Sequence, residues 1–307
     1  MLTLMEYVGR TPVIKLNNVV DSKYATVWAK LENLNPAGSI KDRIALNILD
    51  TAERNSVITP GETTIVEATS GNTGIALSMV CSLKGYKLRL YMPSTVSNER
   101  KEIVNAFGGE VVEVDNPASI DHAIQMANEY VDRSGGRAYM AGQFTNKYNK
   151  SAHRKTTAME IIDQVPGNID ALVVGVGTGG TISGVGNVLR EKYKDIKIYA
   201  VEPSESPVLS GGKAGNHKIE GIGVGFIPTV LDRDVYDEVI KVSSSDAKSF
   251  TNEIVRKEGI LIGISSGATC MAAKKVAEKL DRSGNVVTIF FDSGERYLST
   301  GLFSESD

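Results

Sequence analysis

The sequence predicts an α/β protein built from two three-layer αβα domains with mainly parallel sheets. Two observations carry that prediction. Short apolar runs of strand length alternate with helical stretches, the pattern of βαβ units and a parallel sheet. Near residue 149 the alternation starts afresh, so one chain holds two such series. Length agrees with this, because 307 residues suit two ordinary domains or one large one. Hydrophobic residues at 41% against 23% charged leave enough apolar side chains for a sizeable core.

In the first series, residues 13–16 and 26–31 read as short strands, and a helix follows from about residue 41. Residues 63–67 form a strand, and a loop at 68–74 leads into an apolar helix reaching residue 83. Next come a strand at 87–91, a helix at 98–107 that stops on Gly108-Gly109, and a strand at 110–114. A helix at 119–132 and a strand at 138–141 complete this series. The second series opens with a helix at 151–164 and a buried strand at 170–174. A glycine-rich turn at 175–181 enters a helix that reaches residue 193, and a strand follows at 197–202. Residues 203–225 are rich in glycine and proline and suit a loop wrapped round a site. A helix at 244–258, a tight turn at 263–267, a helix at 268–280 and a strand at 286–291 end the pattern.

Composition excludes several functions. A net charge of −3 without a basic run argues against nucleic-acid binding. The longest apolar runs are short and broken by glycine or charge, so no segment is expected to span a membrane. Residues 1–7 lack the basic and apolar regions of a secretory signal, and a cytoplasmic location is the expectation. Cys81 and Cys270 lie in apolar helical segments without metal-ligand spacing and read as small buried hydrophobes. His122, His153 and His217 share no ligand spacing with each other or with the cysteines, so no metal is expected.

The sharpest chemical signal lies in residues 35–43, Asn-Pro-Ala-Gly-Ser-Ile-Lys-Asp-Arg. Asn-Pro and then Gly make a turn, and Ser39 with Asp42 three residues on suits a capped helix start. Lys41 then falls in the first helical turn, where the helix dipole disfavours a cation, so it should lose its proton more readily than a solvated lysine. A neutral lysine amine is what Schiff-base chemistry with a carbonyl or with pyridoxal phosphate (PLP) requires.

Glycine-rich turns add anion sites, since a helix N-terminus presents unpaired N–H groups and partial positive charge. Gly175-x-Gly177-x-x-Gly180 after a strand, with Glu202 at the end of the next, is a complete dinucleotide fingerprint, and alone it would point to an NAD-dependent oxidoreductase. That reading leaves Lys41 and two other loops unused. PLP bound to an amino acid uses all of them. Gly177, Thr178, Gly179, Gly180 and Thr181 offer N–H groups and hydroxyls to a phosphate. Thr69, Ser70, Gly71, Asn72 and Thr73 offer a second nest to a substrate carboxylate. Asn72 can hold the phenolic oxygen, Ser265 can donate to the pyridine nitrogen, and Lys41 can form the imine. Simple helix capping by Thr and Ser explains each loop singly, but not three such loops beside an N-terminal lysine.

Seven motifs together resemble the cysteine synthase and cystathionine β-synthase family, the fold-type II group of PLP enzymes. They are residues 35–43 as quoted, Thr69-Ser-Gly-Asn-Thr-Gly74, Gly177-Thr-Gly-Gly-Thr181, Ser206-Pro-Val-Leu-Ser-Gly-Gly212, Gly221-Ile-Gly-Val-Gly-Phe226, Gly263-Ile-Ser-Ser-Gly267 and Gly294-Glu-Arg-Tyr-Leu-Ser299. The match runs from Gly9 to Ser299. The resemblance implies a tryptophan synthase β-subunit-like fold and a homodimer with PLP in a cleft between domains. It implies a smaller mobile domain at 35–147, carrying Lys41 and the substrate loop. The larger domain combines 1–34 with 148–307 and carries the phosphate loop, and the segment around 90–130 moves on substrate binding.

By the same resemblance, Lys41 holds PLP and then removes the Cα proton, and loss of the β-substituent gives an α-aminoacrylate to which a nucleophile adds. Ser265, a neutral partner for the ring nitrogen, restrains the electron sink and favours β-elimination and β-replacement over transamination. Gln143 matches the family position beside the substrate carboxylate. The implied reaction is cysteine synthase-like, O-acetylserine plus sulfide giving cysteine plus acetate, and the C-terminal tail of serine acetyltransferase is an implied partner. Four departures blur the donor: Ala68 in Glu67-Ala-Thr-Ser70, Gly142 in Gly142-Gln-Phe144, the sequence Asn146-Lys-Tyr-Asn149, and Ala158 after Thr156-Thr157. Of these, Thr156-Thr157-Ala158, together with Asp292-Ser293, is more similar to cystathionine β-synthases. The alternative is therefore a sulfide-producing enzyme that converts cysteine to serine, lanthionine or cystathionine. Asp232 is the candidate base for activating water there, against its simpler reading as a turn cap.

Overall fold

Two sheets, almost wholly parallel, organise the chain, and the computed structural model describes residues 3–115 and 120–304. In chain order the first elements are β1 (Val13–Lys15), β2 (Thr26–Leu31), α1 (Lys41–Arg54), β3 (Thr64–Ala68) and α2 (Asn72–Lys84). There follow β4 (Lys87–Pro93), α3 (Asn98–Ala106), β5 (Glu110–Val114), α4 (Ile120–Arg133) and β6 (Ala138–Met140). The second series is α5 (Tyr148–Lys155), α6 (Thr157–Gln164), β7 (Ala171–Gly175), α7 (Gly180–Lys192), β8 (Lys197–Pro203) and β9 (Glu238–Val242). It ends with α8 (Ser244–Glu258), α9 (Ile264–Ala277) and β10 (Asn285–Phe290). Ser119, expected to open the fourth helix, lies outside the described residues.

The chain divides into two units, Met1–Val8 with Lys41–Asn149, and Gly9–Ile40 with Lys150–Asp307. In the first unit the strand order is β5-β4-β3-β6, every neighbour parallel. Ile65, Val66, Glu67 and Ala68 of β3 are all buried, as a central parallel strand covered on both faces requires. Helix α4 packs on the face that carries Val66, Ala68 and Tyr91. In the second unit the order is β1-β2-β10-β7-β8-β9, with only the β1–β2 pair antiparallel. All five residues of β7 are buried. Each fully buried Val or Leu there stabilises the fold by roughly 1.5–3 kcal/mol. Among the described residues, no helix is long and apolar enough to cross a membrane. Cys81 and Cys270 are buried free thiols, and burial raises both thiol pKa values, that of Cys81 to about 12.

Three local differences from the sequence reading have physical causes. The expected helix at 151–164 is two helices, α5 and α6, separated at Thr156. The Thr156 hydroxyl donates back to the Ala152 carbonyl of α5 (2.8 Å) and its backbone turns to φ −123°, so the residue breaks the run and stands just before α6 without a side-chain capping bond. Strand β9 went unrecognised because it is a half-exposed edge strand that mixes Glu238 and Lys241 with valine and isoleucine. Helix α9 begins at Ile264, not near Ala268, so Ser265 belongs to the first turn of a helix.

Candidate active site

Lys41 is the first residue of α1 and is half-buried. Ser39 precedes the helix by two positions and bridges antiparallel to Asp292, so it anchors the approach to the helix rather than standing at the residue immediately before it. The turn before Lys41 is tightly held within the second unit. Gly38 has φ +78°, which favours glycine, and the Arg296 guanidinium donates to the Ala37 carbonyl. Asn35 accepts from the Gly9 N–H (2.8 Å) and donates to the Glu32 carboxylate (2.8 Å), which in turn accepts from Thr11 (2.7 Å). Ile40 donates its N–H to the Phe291 carbonyl (2.8 Å). Buried polar groups paired in this way fix a backbone path.

The hydroxyl-rich loop joins β3 to α2 in the first unit. Thr69 is buried and its hydroxyl accepts from the Gly71 N–H (3.2 Å), Ser70 is exposed, and Asn72 opens α2. Thr73 is buried and donates its hydroxyl to the Gln143 side-chain oxygen (2.6 Å), so two of the predicted substrate residues meet directly. Glycine is required at Gly74, where an added Cβ would lie 2.8 Å from Leu90 Cδ1 and 2.9 Å from Thr69 Cγ2.

Behind this pair stands Glu67, which the sequence reading passed over. Its two carboxylate oxygens accept from the Ala68 and Gln143 backbone N–H groups, both at 3.0 Å. Burial pushes its carboxyl up to about 7, against the opposing pull of those backbone donors. A glutamate inside an otherwise apolar strand, Thr-Ile-Val-Glu-Ala, was the available signal. The sign of its effect on stability follows. The folded state holds a proton that the unfolded state has released between about pH 4.5 and about pH 7, so stability falls as pH rises through that window. Wild type is expected to lose about 3 kcal/mol relative to Glu67→Gln between pH 5 and pH 8, from roughly 1.4 kcal/mol per pKa unit. Urea midpoints of both proteins at the two pH values measure this, and parallel midpoints would refute it.

In the second unit, β7 runs into the glycine loop and α7. Gly179 adopts φ +81° and stands at the N-terminus of α7, with no side chain capping the helix there. Gly180 donates its N–H to the Thr178 hydroxyl (3.4 Å), and the Thr181 hydroxyl lies 3.3 Å from His153 Nε2. His153 is buried, and its Nδ1 meets Thr157 at 3.0 Å, so it braces this loop rather than binding a metal. A Cβ at Gly177 would stand 2.3 Å from the Gly221 carbonyl oxygen, and one at Gly221 would stand 3.4 Å from Ser265 Oγ. The loop at 177–181, the loop at 221–225 and Ser265 therefore come together. Ser265 is buried, and its hydroxyl makes no hydrogen bond among the described residues.

One sequence reading changes at this point. Glu202 is buried and accepts from Leu209 N (2.7 Å), Ser210 N (3.2 Å) and Ser210 Oγ (2.5 Å). It is committed to the following loop and cannot serve a ribose, which removes the dinucleotide reading. Asp232 follows Leu231, which packs on Gly179, and its carboxylate accepts from Asn187 Nδ2 (3.0 Å) and Asp234 N (3.2 Å). Those bonds tie its turn to α7.

Comparison with known proteins identifies the family. A family model described as pyridoxal-phosphate dependent enzyme matches residues 4–292. A cysteine synthase of Staphylococcus aureus is 48% identical over 305 residues, covering 99% of this chain and 97% of its own. A cysteine synthase of Entamoeba histolytica superposes with a TM-score of 0.95 at 40% identity, over 100% of this chain and 92% of that one. A hydrogen sulfide-producing enzyme of Fusobacterium nucleatum does so with a TM-score of 0.92 at 40% identity, over 97% and 100%. The chain belongs to the pyridoxal-phosphate-dependent enzyme family. Within it, the chain falls in the fold-type II group of cysteine synthases and cystathionine β-synthases.

The residues present fit the cofactor. The α7 N-terminus with its glycine cradle suits a phosphate, and a buried serine hydroxyl without a protein partner suits a neutral ring nitrogen. Bound PLP supplies an electron sink at the amino-acid Cα.

Proposed function

We propose that this enzyme carries out β-replacement on a serine-derived amino acid, with O-acetylserine and sulfide giving cysteine and acetate. The observation that supports it most is the direct meeting of Thr73, at the start of α2, with Gln143, a neutral polar pair suited to an amino-acid carboxylate. The full-length identity of 48% with a cysteine synthase supports the same substrates. In this reading Lys41 Nζ holds the cofactor covalently and then moves the Cα proton. Thr178 and Thr181, with the backbone of Gly177, Gly179 and Gly180, hold its phosphate; Ser265 meets the ring nitrogen and Asn72 the phenolic oxygen. Thr69, Ser70, Gly71, Asn72, Thr73 and Gln143 bind the substrate carboxylate. The reading extends to a cytoplasmic homodimer and to docking of the serine acetyltransferase tail. The test is to supply purified, PLP-loaded enzyme with O-acetylserine and sulfide, and separately with cysteine alone. Fast cysteine formation with little sulfide release from cysteine supports biosynthesis, whereas the reverse ranking supports the second reading.

That second reading is a sulfide producer, cysteine plus water giving serine plus hydrogen sulfide. Ala158 and the Asp292-Ser293 pair favour it, as does the likeness to the Fusobacterium nucleatum enzyme. Asp232 is then the base for water, and Asp232→Asn should leave PLP affinity intact while lowering serine output about a hundredfold. Serine and cysteine formation falling together, or not at all, would leave Asp232 as a turn cap.

A further inference from the structure

We infer that Glu67 is a positioning residue that sets the substrate-carboxylate grip by holding the backbone of Gln143. The inference rests on Gln143 and Thr73 forming that grip. Strand pairing between β3 and β6 ends at Val66–Met140, with the Ala141 N–H still donating to the Val66 carbonyl (2.9 Å). Two residues further on, the chain has left the sheet, and the Gln143 N–H points at a carboxylate instead of a strand carbonyl. Glu67 thus replaces the missing rung, taking the Ala68 N–H on one oxygen and the Gln143 N–H on the other.

Gln143 is then held at every polar point. Its N–H goes to Glu67, its carbonyl accepts from Asn149 Nδ2 (2.8 Å), its side-chain NH2 reaches the Ala68 carbonyl (3.4 Å), and its side-chain oxygen accepts from Thr73 (2.6 Å). All of these residues lie within the first unit, so the chain of bonds belongs to that unit alone. A carboxylate that is 2% exposed is costly to bury, and neutral residues could close the sheet more cheaply. Above about pH 7, once Glu67 has released its proton, the carboxylate is a charge-assisted acceptor for two N–H groups at once. A Gln in its place must turn an NH2 group toward one of those N–H donors.

The experiment compares wild type with Glu67→Gln. The expected result is an amino-acid donor KM raised at least about tenfold, kcat within about twofold, an unchanged KM for sulfide and an unchanged cofactor absorbance band. An unchanged donor KM, or an equal fall in every parameter, overturns the inference. Amide exchange at Gln143 in cofactor-free wild type gives a readout that needs neither the variant nor turnover. The Gln143 amide should exchange at least a hundredfold more slowly than that of exposed Ser70, and equal rates overturn the inference. Wild type without PLP-dependent turnover would sink the functional reading while leaving the exchange result to judge Glu67.

Discussion

Lys41→Ala is expected to lower β-replacement turnover by at least about a thousandfold while leaving the fold intact. The two halves of that expectation have separate causes. Turnover falls because one amine both holds the cofactor and moves the Cα proton, and neither task has a substitute once Nζ is gone. Stability holds because Lys41 is half-buried at the first position of α1, where alanine is a good helix former and no core packing is lost. The path leading to it is set elsewhere, by Asn35, Gly38, the Arg296–Ala37 bond and the Ile40–Phe291 bond. Lys41→Arg should be as inactive, since a guanidinium keeps the charge but cannot give up its proton to act as a nucleophile. Turnover with O-acetylserine and sulfide measures the loss. Borohydride reduction of wild type, followed by mass analysis, should place the cofactor's mass on the peptide containing Lys41. Turnover above a tenth of wild type, or label on another lysine, would refute the assignment.

What the sequence made legible, and what it hid, divides along a physical line. Central parallel strands such as β7 are continuous apolar runs, and glycine turns before helices are local chemistry, so both read directly from the chain. Lys41, Thr73, Gly177 and Ser265 stood out because residue type and spacing carry their chemistry, whereas Gln143 stood out only through the family resemblance. The identity of their supports is tertiary information. Glu67 stands 76 residues from Gln143, and Arg296 stands 259 from Ala37, and no local pattern encodes either partnership. Strand β9 was hidden for a related reason, because an edge strand buries too little for its periodicity to rise above that of a loop. Asp232 shows the limit most clearly. Its position after a glycine loop suggested a base, while its bonds to Asn187 and Asp234 are those of a turn anchor, and type and position alone fit both.

Gly177→Ala carries the second large effect. Many glycines in this chain serve turns whose added Cβ would enter open space, and Gly211, at φ +83°, is one of them. Substitution there should cost only the left-handed backbone penalty of about 1–2 kcal/mol and leave activity in place. Gly177 differs in kind. Its Cβ would fall 2.3 Å from the Gly221 carbonyl oxygen, 3.4 Å from the Gly221 carbonyl carbon and 3.9 Å from Ile222 Cα, all backbone atoms. No rotamer change relieves such a contact, so one of the two loops must move. Gly223 is tied to the same place by its N–H bond to the Val176 carbonyl (2.9 Å), and Gly221 borders Ser265, so the movement reaches both the phosphate cradle and the ring-nitrogen position. The expected result is a stability loss of roughly 1–3 kcal/mol for overpacking and a PLP affinity reduced at least a hundredfold. Equilibrium dialysis of PLP and thermal midpoints of the cofactor-free protein, with Gly211→Ala as the control, separate the two quantities. Loss of affinity well beyond the loss of stability would mean that this backbone contact shapes a binding cradle. Equal losses, or none, would mean that the close approach serves only to fold the loop.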